Sequence, residues 1–243
     1  MANGPRLTLA IHEKRYPNLA QPVLEGLEFQ IAPGSVVALV GPSGIGKSTL
    51  LRLIAGIDRA FDGSIRIDGQ PAAEAPPPGL VFQDSRLLPW LSAIDNLLAV
   101  KPALGRDAAI GWLDRVGLEG FGDALPDQLS GGMQRRVALA RALAVNPKFL
   151  LLDEPFVSLD RRLVGEIQKL FAELIAAENS TAILVTHIVE DAAALADRAL
   201  VLAGRPARVV ADLPLPTPPA ARGPLEIARF SEMLAQKLNE SAT

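Results

Sequence analysis

Three short runs of the chain are apolar almost without interruption, and each is stopped by a glycine or a polar residue. Ser35-Val36-Val37-Ala38-Leu39-Val40 ends at Gly41, Phe149-Leu150-Leu151-Leu152 at Asp153, and Thr181-Ala182-Ile183-Leu184-Val185 at Thr186. Such runs predict strands buried on both faces. Between the last two, Leu163, Ile167, Leu170, Phe171 and Leu174 recur at helical spacing and form one apolar stripe. Strand, helix, strand with buried strands predicts a parallel sheet covered by helices, an α/β fold. The N-terminal part has a different rhythm. Leu27-Glu28-Phe29-Gln30-Ile31 and Ser64-Ile65-Arg66-Ile67-Asp68-Gly69 alternate apolar and polar, which predicts an antiparallel sheet with one wet face.

From about residue 85 to 128 the pattern turns helical, with Ala109, Trp112, Leu113 and Val116 on one face. This predicts an inserted helical sub-domain, reaching about residue 135 at its widest. Two proline-rich stretches, Pro71 to Pro78 and Pro206 to Pro224, read as loop and linker. The expected organisation is a catalytic domain over residues 1–211, then a linker and helix over 212–243. No internal repeat of solenoid or propeller length is found.

Composition narrows the function. The 243 residues carry a formal charge of −3, with 49% apolar and 21% charged positions, which suits a folded chain and not a disordered one. An isoelectric point near 5.5 argues against binding nucleic acid through bulk basic charge. There is no cysteine, so no disulfide framework, thiolate metal site or cysteine nucleophile is available. The first residues do not read as a signal peptide, and no run approaches the ~18 apolar residues of a membrane span. A cytoplasmic chain is expected, touching a membrane only through a partner or its surface.

Gly41-Pro42-Ser43-Gly44-Ile45-Gly46-Lys47-Ser48 follows a predicted buried strand and precedes the helical run Thr49-Leu50-Leu51-Arg52-Leu53-Ile54-Ala55. This is the G-x-x-x-x-G-K-[ST] phosphate loop in its required context. Glycines let the backbone curl so that several N–H groups face one phosphate, and the helix N-terminus adds about half a positive charge. Lys47 is placed to reach the β- and γ-phosphates of ATP, and the Ser48 hydroxyl to hold Mg²⁺. Chance alone predicts roughly 0.003 such matches in a chain of this composition. The second half of the site is Asp153-Glu154, two carboxylates at the end of a buried strand, costly unless something uses them. Asp153 suits Mg²⁺, and Glu154 suits the base that polarises the attacking water.

Leu129-Ser130-Gly131-Gly132-Met133, followed by Gln134-Arg135-Arg136-Val137-Ala138-Leu139-Ala140-Arg141-Ala142-Leu143, resembles the signature motif of the ATPase subunits of ABC transporters. Ser130 suits a helix cap whose free N–H groups form a second anion site. The resemblance implies a P-loop NTPase core with a parallel sheet, an N-terminal antiparallel β sub-domain and an inserted helical sub-domain. It also implies that two copies close head to tail, each ATP lying between the phosphate loop of one and Ser130, Gly131 and Gly132 of the other. By the same resemblance Gln83 touches Mg²⁺ and the attacking water, Asp160 of Ser158-Leu159-Asp160 lies in a loop crossing the dimer interface, and His187 hydrogen-bonds the γ-phosphate. Tyr16 corresponds to the aromatic residue that stacks on adenine, while His12 reads as structural.

Val81-Phe82-Gln83-Asp84-Ser85-Arg86-Leu87-Leu88-Pro89-Trp90 and Gly204-Arg205-Pro206-Ala207-Arg208-Val209-Val210 resemble the nitrate, sulfonate and taurine importer branch. That implies integral-membrane permease subunits as partners, indirectly a solute-binding protein, and a peripheral position on the cytoplasmic face of the membrane. Leu87 to Trp90 would then meet a cytoplasmic helix of the permease. Two positions depart from the family pattern. Met133 stands where a glutamine commonly ends the signature, leaving only backbone N–H groups for a nucleotide. Ile188 and Val189 follow His187 where an acidic and an apolar residue are usual. A soluble ABC-type ATPase of cofactor assembly or DNA maintenance is the alternative, but only about 80 residues separate Lys47 from Ser130, too few for the long coiled coil of the DNA type. The solute itself is not legible.

Overall fold

A computed structural model describes residues 4–157 and 159–241. Two sheets face each other. The first is antiparallel, with strands β1 (Leu7–Lys14), β2 (Leu24–Ile31), β4 (Asp62–Ile67) and β5 (Gln70–Pro71) in the order β2-β1-β4-β5. The second holds β3 (Val36–Val40), β6 (Gly79–Val81), β7 (Phe149–Asp153), β8 (Thr181–Thr186), β9 (Arg198–Ala203) and β10 (Arg208–Pro214) in the order β10-β9-β3-β8-β7-β6. All its pairings are parallel except β10 with β9.

The continuous apolar runs have a direct explanation. Val37, Leu39, Phe149, Leu151, Ile183 and Val185 point into a core shared with the antiparallel sheet, while Val36, Ala38, Leu150, Leu152, Ala182 and Leu184 point into a second core under the helices. A strand with water on neither side has no polar alternation to show. Helix α1 (Lys47–Ile54) lies in the first core with Leu50, Leu51, Leu53 and Ile54 buried. Helices α2 (Ala93–Val100), α3 (Arg106–Arg115) and α4 (Gly131–Ala144) make up the inserted sub-domain, and Ala109, Trp112, Leu113 and Val116 are all buried in it. Its helices begin at Ala93, later than the helical pattern near residue 85 suggested, because residues 82–92 form an irregular loop. Helices α5 (Arg161–Glu178), α6 (Val189–Leu195) and α7 (Pro224–Glu240) complete the chain.

The stretch from Pro206 to Pro224 is not simply a linker. Residues 208–214 form β10, an edge strand whose alternate residues Ala211 and Leu213 pack against the helical core. Prolines are tolerated there because they bracket an edge strand and do not interrupt a central one. The boundary expected after residue 211 falls inside β10, and α7 beyond it buries Phe230 and Leu234 against the body of the protein. Among the described residues no helix is long and apolar enough to cross a membrane.

Candidate active site

Four parallel strands end side by side. The register pairs Val40 with Thr186, Val185 with Asp153, and Leu152 with Val81. The segments that leave β3, β8, β7 and β6 at this edge carry the phosphate loop, His187, Asp153-Glu154 and Gln83. In an open α/β sheet the carboxyl edge of the strands is where ligands bind.

The phosphate loop is shaped by its glycines. Gly46 caps α1 at φ 115°, and a Cβ there would stand 2.8 Å from Leu24 and 2.9 Å from Val23. A Cβ at Gly41 would stand 2.7 Å from the Leu202 carbonyl. Both positions therefore exclude a side chain, whereas Gly44, at φ 73°, opens to empty space. Pro42, Ser43 and Ile45 complete the curl, with Ile45 buried, and the first N–H groups of α1 have no intrahelical partner. Lys47 is only 4% exposed and donates to the carbonyls of Gly41, at 2.7 Å, and Pro42, at 2.9 Å. Its Nζ lies 3.9 Å from Glu154 Oε1. Burial holds the Lys47 ammonium below its ordinary pKa, against the opposing pull of Glu154 and Asp153.

Asp153 is pushed above the usual carboxylate range chiefly by burial, with neighbouring Glu154 adding to the shift; a hydrogen bond from Ser48 and the charge of Lys47 oppose it. Glu154 sits just past the strand end at φ 49°, its N–H bonded to the Val185 carbonyl at 2.8 Å. A non-glycine residue in this left-handed region costs on the order of 1 kcal/mol or more and persists only where its surroundings impose it. Its Oε1 meets Nδ1 of His187 at 2.9 Å. Among the described residues there is no group of three or more His, Cys, Asp and Glu to cage a metal. The donors present are hard oxygens, the Ser48 hydroxyl and the Asp153 carboxylate, with the exposed Gln83 nearby on its loop. This set fits Mg²⁺, which keeps several waters and takes other oxygens from substrate phosphates.

Tyr16 stands beside α1, its hydroxyl 3.4 Å from both Thr49 Oγ1 and Asp58 Oδ2. The Lys14 ammonium lies 4.5 Å from its ring centre. His12 is on the surface beside Asp62. Ser130 caps α4, its hydroxyl accepting from the Met133 N–H at 3.3 Å. A cavity of about 510 Å³ runs past Gly131 and Gly132, and its other walls come from the Gln83–Pro89 loop, Pro126, Gln134 and Arg135. No residue of the phosphate loop lines it, so within one chain the two helix N-termini open on different spaces. Asp160 caps α5 by accepting from the Arg162 N–H at 2.9 Å, while Ser158 of the same predicted loop lies outside the described residues.

Residues 24–157 match the ABC transporter family. The chain belongs to that family. It is 44% identical over 209 residues to the aliphatic sulfonates import ATP-binding protein SsuB 2 of Burkholderia lata, covering 84% of this chain and 76% of that protein. SsuB 1 of Pseudomonas syringae pv. syringae is 43% identical over 222 residues, 90% of this chain and 89% of its own length. Among solved structures, the dimeric post-hydrolysis state of the ATP-binding cassette MJ0796 bound to ADP and Pi matches with a TM-score of 0.77 at 31% identity, over 89% of this chain and 99% of that one. As a member of this family the chain is an ATP-binding subunit and an ATPase coupled to transport.

Several residues of this ABC ATPase were not singled out by motif reading. Asn96, fully buried in α2, accepts from the Leu88 N–H at 2.9 Å and donates to the carbonyls of Leu88, Leu91 and Ser92. Arg141 donates to the carbonyls of Arg86 and Ser85. Together they hold the loop that follows Gln83. Asn96 had a signal, since a lone amide on the apolar face of a helix needs a partner. Arg141 had none, because apart from the Asn96 amide oxygen its acceptors are backbone carbonyls that no residue type announces.

Proposed function

We propose that this chain hydrolyses ATP to power a membrane importer of an aliphatic sulfonate or another small anionic or polar solute of that kind. One observation carries the reading: the phosphate loop, Asp153-Glu154, His187 and the Gln83 loop converge at one sheet edge, while the capped N-terminus at Ser130 opens elsewhere. A site split in this way is completed by a second copy. Relatives named as sulfonate importers at more than 40% identity supply the solute class.

In this reading the backbone N–H groups of residues 43–49 and Lys47 bind the β- and γ-phosphates, while Gly41 and Pro42 shape the loop, and Tyr16 stacks on the adenine. Ser48, Asp153 and Gln83 hold Mg²⁺, which when bound withdraws charge from the phosphate oxygens. Glu154 accepts a proton from the attacking water. In the structure His187 Nδ1 occupies Glu154 Oε1, so a γ-phosphate that draws the imidazole toward itself releases the carboxylate to the water. Ser130, Gly131 and Gly132 of the partner copy grip the same γ-phosphate, and Asp160 lies near the seam. Loss of that phosphate then lets the two copies part.

Trp90, 71% exposed on the loop that follows Gln83, supports docking of a permease helix there. Such a permease would hold the chain at the cytoplasmic face of the membrane, with a solute-binding protein delivering cargo on the far side.

The test is Glu154→Gln. Hydrolysis falls by about a thousandfold, ATP binding persists, and a dimer that requires ATP appears in size-exclusion chromatography. Turnover at the wild-type rate, or a variant that stays monomeric with saturating ATP, sinks the reading.

A further inference from the structure

Arg135 sits on α4 four residues after Gly131, on the same face of the helix, and both line the cavity beside the Gln83 loop. Among the described residues its guanidinium makes three hydrogen bonds, all to backbone carbonyls. Nη1 donates to Glu154 at 3.2 Å and to Val157, and Nη2 donates to Gln83. The three acceptors come from two segments: the Glu154–Val157 turn that aims the catalytic carboxylate, and the loop after β6. The neighbouring arginine behaves otherwise. Among the described residues Arg136 donates to Val116 and Gly117 alone, inside the helical sub-domain. Arg135 is thus a direct polar tie between the helix carrying the second anion site and the strand end carrying Glu154.

Only arginine suits this task. A planar fork with five donors can serve carbonyls on separate segments at once, whereas a lysine ammonium is a point donor. The folding of α4 rests on other residues, since Val137, Leu139 and Ala140 are buried in the helical core. Breaking the tie therefore loosens geometry more than it unfolds the helix.

We propose that Arg135 is a positioning residue which locks the Ser130 end of α4, the Gln83 loop and the Glu154 turn into one unit, so that the anion-gripping helix and the hydrolytic carboxylate move together. This rests on the ATPase reading above and adds to it a device within one chain that sets how the two half-sites are spaced.

Two measurements test it. In Arg135→Ala, kcat for ATP falls about tenfold or more while KM stays within about threefold, because misplaced groups cost rate more than ground-state binding. Arg135→Lys recovers part of that loss. Because the chain has no cysteine, spin labels can be placed on Glu28→Cys in β2 and Asp127→Cys in the sub-domain, both exposed positions. The distance between them, narrow in the otherwise wild-type chain, broadens when Arg135 is replaced by Ala. A wild-type kcat in Arg135→Ala, or an unchanged distance distribution, overturns the proposal. If Arg135→Ala does not fold, Arg135→Lys carries both readouts. The distance measurement needs no turnover, so a wild-type protein that failed to hydrolyse ATP would refute the functional reading and leave this one to be decided separately.

Discussion

Helix α1 begins between two sheets, its apolar residues buried on the strand side and its lysine almost out of contact with water, whereas α4 presents exposed Gly131 and half-buried Gly132 at the rim of an open cavity. Both starts offer unpaired N–H groups and the positive end of a dipole. What differs is the support. The first is held by side-chain packing, at the cost of burying Lys47 and Asp153, whose pKa values burial displaces toward their neutral forms. The second is held at its exposed end by an arginine reaching backbone carbonyls. Packed cores resist continuous deformation, while a few polar ties from a rigid guanidinium hold two segments in fixed relation. The comparison teaches a division of labour: one anion site is built into the core between two sheets, and the other stands at an open rim, tied to the Glu154 turn and the Gln83 loop.

The largest effect that would break this comparison is expected at Lys47. Lys47→Ala removes the buried ammonium while leaving Asp153 and Glu154 in place, so ATP affinity measured by calorimetry falls on the order of several hundredfold. An affinity unchanged in Lys47→Ala would mean that the prebuilt site does not hold the triphosphate. Next comes Gly131→Asp, where an added Cβ meets no atom of another segment within 4 Å. A carboxylate in the first turn of α4 favours the helix but repels a phosphate. Thermal stability therefore holds or rises, ATP binding to the monomer is kept, and ATP-dependent dimerisation weakens by about fiftyfold. Intact dimerisation in Gly131→Asp would remove α4 from the site.

The smallest effect concerns the turn that carries His187. Asp191, only 5% exposed, accepts from Gln168 of α5 at 2.9 Å and stands 3.4 Å from the Thr186 hydroxyl. Burial, with Glu190 adding and Thr186, Gln168 and His187 opposing, raises its pKa from 3.8 to about 6. Between those two values the folded chain binds more protons than the unfolded one, so rising pH destabilises the protein, and the loss is complete above about pH 6. The full cost is on the order of 3 kcal/mol. Asp191→Asn escapes it, so its melting temperature gains about 3 °C on wild type between pH 5 and pH 7.5. A gap that stays constant across that range would show that the carboxylate is not desolvated.

Much of this arrangement was legible in the sequence, for reasons that vary by region. Strands β3, β7 and β8 announced themselves because both faces are buried. Strand β1, in which Leu7, Leu9 and Ile11 alternate with less buried residues, was not predicted, nor were β9 and β10, although Gly204 and Pro206 mark a turn between them. β10 exists because it pairs with β9 across Gly204 and Pro206, a tertiary gain that overrides a proline-rich composition. In the site, Lys47, Asp153 and Glu154 were legible because their chemistry demands particular side chains at particular spacings. The 49° φ of Glu154 and the carbonyl acceptors of Arg135 and Arg141 belong to the backbone, and a sequence does not spell those out.

Arg222 gives the C-terminal segment a use beyond packing. It is 9% exposed and donates to the carbonyls of Ala193 and Ala196, at the end of α6, and to Leu215 and Thr217. Helix α6 starts two residues after His187, so this side chain works as a plug in the far end of a seven-residue rod whose near end carries the imidazole. Trimming the chain after residue 211 would withdraw the plug and leave the Ala193 and Ala196 oxygens without it, and the slack would be felt at the histidine although no group near the phosphates had been touched.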